Sequence, residues 1–210
     1  MGMKFKCIGA VAIAAVAFTS AANAAVIFED NFDAIGAPGV STLNWGGNAD
    51  WSIVNGTVDL VSDPNIWGIS CEDGQGKCID LDGSTGNAGE LRTASLVWSS
   101  GQTFTVEFDL SGNQRSISDE TVQIMVTNGN DLVEIIEMTS AGGDANWEHF
   151  SFSFLGNGNL AQLTFANTGG DNVGAMLDNV RISQVPEPGL LGLFGFGLVG
   201  MGALARRRRS

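Results

Sequence analysis

Apolar and polar residues alternate with a period of two through most of the middle of the chain. Phe104, Val106, Phe108 and Leu110 alternate with Thr103, Thr105, Glu107 and Asp109, and Val122, Ile124 and Val126 with Gln123, Met125 and Thr127. Phe150, Phe152 and Phe154 alternate with His149, Ser151 and Ser153, and Leu163 and Phe165 with Gln162 and Thr164. Such a period sends successive side chains to opposite faces of a strand, so each run belongs to a sheet with one face on a core. The runs are separated by Gly46-Gly47-Asn48, Asn128-Gly129-Asn130-Asp131, Gly156-Asn157-Gly158-Asn159 and Thr168-Gly169-Gly170-Asp171. These residues tolerate the backbone angles that tight turns require. No stretch of the middle carries a helical stripe. About eight to ten short strands at this spacing predict an all-β, two-sheet sandwich.

Two local features qualify the pattern. Asn55-Gly56, between Val54 and Thr57, reads as a hairpin turn. In the last strand, over 175–182, strict alternation puts Asp178 on one face with Met176, Val180 and Ile182. A carboxylate there is costly unless something neutralises it, or unless a bulge turns it outward.

The two ends of the chain differ from the middle. Residues 1–24 read as a secretory signal peptide: Lys4 and Lys6, an apolar run over 8–18, and Ala22-Asn23-Ala24 as the cleavage site. At the other end come Pro186-Glu187-Pro188, an uncharged Gly-rich span over 189–205, and Arg206, Arg207, Arg208 and Arg209. The span is at the lower length limit for a transmembrane helix, and the arginines would stay cytoplasmic. This tripartite tail over 185–210 resembles the PEP-CTERM sorting signal of Gram-negative bacteria. The resemblance implies an exosortase as partner, a transient tether in the inner membrane, and then a cell-surface or extracellular location in an exopolysaccharide and biofilm setting. The domain itself is expected over 25–184.

The 210-residue chain carries a net charge of −13, but residues 25–188 hold all 23 acids and only Lys77, Arg92, Arg115 and Arg181, a local charge of −19. So acidic a segment repels phosphate backbones, which excludes nucleic acid as a partner. Export permits disulfides, and Cys71 and Cys78 are the cysteines left after cleavage, so they are expected to pair and close a short loop. A zinc site would need two more soft ligands, and His149 is the single histidine. Alternation turns His149 to solvent, with Ser151 and Ser153 on its own strand, which is poor geometry for a nucleophile and base. No catalytic residue is expected.

Several short segments carry a second resemblance: FEDNFD at 28–33, VDL at 58–60, IDLDGSTG at 79–86 and GGDNVGAMLDNV at 169–180. They look like the lectin-like jelly-roll domains of exported PEP-CTERM proteins and, more distantly, galactose-binding-like carbohydrate-binding modules. The resemblance implies a jelly-roll sandwich and a structural calcium ion, with Glu29 or Asp30, and Asp178, as ligands and Asp80 and Asp82 as a second group. Calcium takes several hard oxygen ligands, which these acids supply. It also implies an extracellular polysaccharide as ligand. Of the five tryptophans, Trp45, Trp51, Trp67, Trp98 and Trp147, the expected sugar-stacking pair is Trp67, in a loop-like stretch, and Trp147. A matrix protein without a small ligand is the alternative.

Overall fold

The computed structural model describes residues 24–115, 119–127, 132–139 and 146–185, with the backbone alone at 119, 127 and 132–139. The expected signal peptide, Pro186, Glu187 and Pro188, the span over 189–205 and the arginines at 206–209 lie outside the described residues. All described elements are strands: β1 (Ala25–Asp30), β2 (Trp51–Val54), β3 (Asp59–Asp63), β4 (Gly76–Asp80), β5 (Glu90–Thr93), β6 (Leu96–Val97), β7 (Thr103–Ser111), β8 (Asp119–Thr127), β9 (Leu132–Thr139), β10 (Trp147–Leu155), β11 (Leu160–Asn167) and β12 (Met176–Val185). No helix is among them.

The strands form two antiparallel sheets. The first runs β10-β7-β12-β4-β3, with β1 also paired to β12, and the second runs β2-β5-β11-β8-β9, with β6 on β11. β12 pairs with β7 along its length, so β1 and β4 share its other edge end to end: β1 against 180–184 and β4 against Met176 and Leu177. This is a jelly-roll sandwich, in which strands distant in sequence lie side by side.

The alternating runs meet where the sheets face each other. Phe104, Val106, Phe108, Leu110, Val122, Ile124, Leu163 and Phe165 are all buried. Phe108 of the first sheet meets Phe165 of the second edge to face at 5.1 Å, and stacks beside Phe150 at 5.7 Å. Burying each such ring stabilises the fold by about 1.5–3 kcal/mol. Phe150, Phe152 and Phe154 are only half-buried because β10 is the edge strand of its sheet.

Two local expectations change. Asn55 does adopt a left-handed φ of 59° and the chain turns there. The turn makes no hairpin, however: β2 pairs with β5 in the second sheet and β3 with β4 in the first. The Asn55-Gly56 turn therefore carries the chain from one sheet to the other. In β12 the register slips between Asp178 and Arg181, with Asn179 at φ 51°. The bulge leaves Val180 and Ile182 in the core and puts Asp178 outside it.

Candidate functional site

Asp178 remains only 5% exposed although the bulge turns it off the core. The cover is the segment over 64–75, which folds onto the outer face of the first sheet. Cys71 and Cys78 are joined in a disulfide that ties this segment to β4. Around the bond, Val61, Ile69 and Met176 form a second, small hydrophobic cluster, and Trp67 and Trp147 pack against it. The Asp178 carboxylate lies within 4.8 Å of both sulfurs. It accepts hydrogen bonds from the N–H groups of Glu72 (3.3 Å) and Asn179 (2.8 Å). Burial pushes its pKa up to about 7, against the pull of those two donors.

Polar side chains fix the segment in place. The Asn65 amide donates to the carbonyls of Ser62 and Ile69 and accepts from the N–H groups of Trp67 and Ile69, so one side chain shapes the turn that presents Trp67. Gln114 exchanges two hydrogen bonds with the backbone of Ser70, and the Trp147 indole donates to the Ser70 carbonyl at 3.1 Å. Trp67 and Trp147, distant in sequence, thus stand on the same cluster. Beside Trp67, Ile66 is 92% exposed.

Beyond this cover the outer face is open and polar. Register across the sheet places Ser151 opposite Glu107, Glu107 opposite Arg181, and Arg181 opposite Glu29. Asp109 stands between His149 and Asp178 in the same way. His149 Nδ1 is 2.8 Å from Asp109 Oδ1, and Asn179 Nδ2 donates to Asp109 Oδ2 at 2.8 Å. With its proton on Nδ1, His149 donates to Asp109 and leaves Nε2 as an acceptor, 4.0 Å from Glu107. An open cleft of about 520 Å³ continues the surface, lined by Glu29, Asp30, Asn31, Asn179 and Arg181 among others. His149 is exposed, as alternation predicts.

Of the acids expected to hold calcium, Glu29 and Asp30 both line the cleft, and Asp178 is buried outside its lining. Asp30 spends its oxygens on the Phe32 N–H and the Trp51 indole, each at 2.7 Å. Among the described residues, the group of three acid, cysteine or histidine ligand atoms close enough to share an ion is Cys71, Cys78 and Asp178, and both its sulfurs are in the disulfide. Asp80 and Asp82 meet just past the end of β4 through the backbone, where the Asp82 N–H donates to Asp80 at 3.0 Å. Asp80 also pairs with Arg115 at 2.9 Å, yet burial pushes its pKa up to about 7. Trp45, Trp51 and Trp98 are core residues.

Sequence reasoning did not find Asp109, Asn179, Asn65 or Gln114. Alternation already turned Asp109 outward; the missing information was that β7 lies between β10 and β12.

The family described as "Protein of unknown function (DUF642)" matches residues 28–183, and the PEP-CTERM protein-sorting motif matches residues 184–209. No curated protein matches the chain. Among solved structures the chain is similar to the Stig cyclase Fisc from Fischerella sp. TAU, at 11% identity over 78% of this chain and 99% of that one, with a TM-score of 0.52. It is also similar to the C-terminal CBM6 of LamC from Zobellia galactanivorans (12% identity, 64% of this chain, 99% of that one, TM-score 0.42). A third similarity is to the carbohydrate-binding module CBM6cm-2 from Cellvibrio mixtus lichenase 5A in complex with cellotriose (13% identity, 69% and 95%, TM-score 0.43). The likeness to the first of these shows the shared fold. The motif at the C-terminus implies a surface protein sorted by an exosortase.

Proposed function

We propose, for a chain that belongs to the DUF642 family and ends in a PEP-CTERM sorting motif, that the exported domain binds an extracellular polysaccharide without catalysis. The ligand lies on the outer face of the first sheet. The observation that carries this reading is the joining of two surfaces: an open platform of Glu29, Glu107, Asp109, His149, Asn179 and Arg181, and a raised border of Ile66, Trp67 and Trp147 at its end. Carboxylates, an amide, an imidazole and a guanidinium both accept and donate, which suits the vicinal hydroxyls of a sugar chain. Indole faces stack on the apolar faces of pyranose rings. An open surface accepts an internal stretch of polymer, whereas an enclosed pocket would demand a chain end.

The same arrangement gives little support to acyl-transfer chemistry of the serine or cysteine type. His149 has an acid beside it, but among the described residues no hydroxyl or thiol hydrogen-bonds to its ring. A glycan array with the chain tests the proposal. Binding to one class of polysaccharide is expected, weakened severalfold or lost in Trp67→Ala, Trp147→Ala and Asp109→Ala. Failure to bind any glycan favours the matrix-protein reading.

A further inference from the structure

At one end of the sandwich, the start of β3, the chain leaving β4, the start of β8 and the turn between β11 and β12 bring together carboxylates that the sugar platform does not use. Most have partners. Asp59 accepts from the Asn44 N–H and from the N–H and hydroxyl of Ser84. Glu120 accepts from Asn113 at 3.2 Å and Asn167 at 3.0 Å.

Asp82 is different. It is 0% exposed, and neither of its carboxylate oxygens has a hydrogen-bond partner. The Asp171 N–H faces it from the neighbouring turn without completing a bond. Asn167 Oδ1 is a third orphan, buried and unpartnered. Because Asn167 Nδ2 donates to Glu120, the amide is held in the orientation that leaves its oxygen over. Gly169 explains how these groups come so close. A Cβ there would stand 2.3 Å from Asp82 Oδ2 and 2.7 Å from Asn167 Nδ2, so the carboxylate and the amide share a cradle that only glycine leaves open.

A buried carboxylate without a completed hydrogen bond is among the costliest groups a fold can contain. Protonating one oxygen would remove the charge but leave the new O–H and the other acceptors unpaired. A hard cation satisfies all three oxygens together. We propose that Asp82 and Asn167 hold a calcium ion in this cradle, Asp82 through both oxygens and Asn167 through Oδ1. Oxygen donors favour calcium over zinc, and a two-oxygen carboxylate bite suits its flexible coordination better than the strict octahedron of magnesium. Glu120 is a positioning residue, acting through the Asn167 amide. Asp82 follows β4 of the first sheet and Asn167 ends β11 of the second, so the ion clamps the two sheets at this end. The site is separate from Glu29, Asp30 and Asp178, and does not depend on the sugar-binding proposal.

The test is calorimetric titration of calcium chloride into the chelator-stripped full chain, paired with thermal melting. Wild type is expected to bind one ion saturably and to melt higher with calcium. Asp82→Asn keeps the shape and removes the chelating charge. It should lose the response, while melting in chelator at or above the wild-type temperature because the unpaired charge is gone. Asp178→Asn should keep the response. Crystals grown with terbium give a readout without substitution: an anomalous peak beside Asp82 supports the proposal. No saturable binding by wild type, a calcium response retained in folded Asp82→Asn, or an anomalous peak only elsewhere would overturn it.

Discussion

The substitution Asp178→Asn should make the protein more stable at alkaline pH and less stable in acid. In the folded state this carboxyl is pushed from 3.8 up to about 7, chiefly by burial under the segment over 64–75. Between these two values the native state holds a proton that the unfolded chain has released. Unfolding then releases a proton, so stability falls as pH rises through the window and levels off above about 7. A rise of that size corresponds to about 4 kcal/mol of destabilisation once Asp178 is ionised. The amide avoids that cost but turns an NH₂ toward N–H donors, a loss of about 1 kcal/mol at every pH. The variant should therefore be more stable than wild type by about 3 kcal/mol at about pH 8, and less stable by about 1 kcal/mol at about pH 3.5. Urea denaturation of both proteins across a pH series, in chelator with the disulfide intact, measures this. Taking the difference between them cancels titrations they share, including that of Asp80. If Asp178→Asn changes stability by the same amount at every pH, folding does not shift this carboxyl, and if its deficit grows as pH rises, the carboxylate is stabilised as an anion; either result would refute the reasoning.

Two other perturbations follow from the packing. Replacing Cys71 and Cys78 with Ala opens a loop with a sequence separation of 7, and chain entropy puts the cost at about 2.5 kcal/mol by urea titration. The variant should also show faster amide exchange over 64–75 than wild type, and unchanged exchange there would contradict the account of how that segment is held. Phe108→Ala removes a ring packed against Phe150, Phe152 and Phe165, and should cost about 3–5 kcal/mol. A loss below about 1 kcal/mol would mean that the inter-sheet core is placed wrongly.

The sequence carries the strands plainly, because a residue's face depends only on its parity along a run. Phe104 to Leu110 and Val122 to Val126 needed nothing else. Parity fails where the backbone adds a residue: alternation kept Asp178 with Val180 and Ile182, and the bulge at Asn179 separates them. Turn chemistry is similarly local. Asn55-Gly56 specifies a reversal, but which strands lie on either side of it depends on sheet order, and that order is nonlocal. The site was harder to read for the same reason. His149 facing outward was legible, whereas its neighbours Asp109 and Asn179 come from strands that a jelly roll interleaves. Trp67 and Trp147 could be named as candidates, but their shared seat on the disulfide cluster appears only when the segment over 64–75 folds back. The Asp82 cradle left a weaker trace: Gly169 stands two residues after Asn167, where the close approach of the Asp82 carboxylate leaves no room for a Cβ.

On the proposed reading, the outer face of the first sheet is the ligand surface. Amide chemical-shift mapping of the ¹⁵N-labelled exported domain, titrated with the polysaccharide selected on the array, locates that surface residue by residue. Saturable shifts are expected at Trp67, Glu107, Asp109, Trp147, His149, Ser151, Asn179 and Arg181. Shifts confined to β2, β5 and β11 of the opposite sheet, or none at saturating polysaccharide, would contradict the placement.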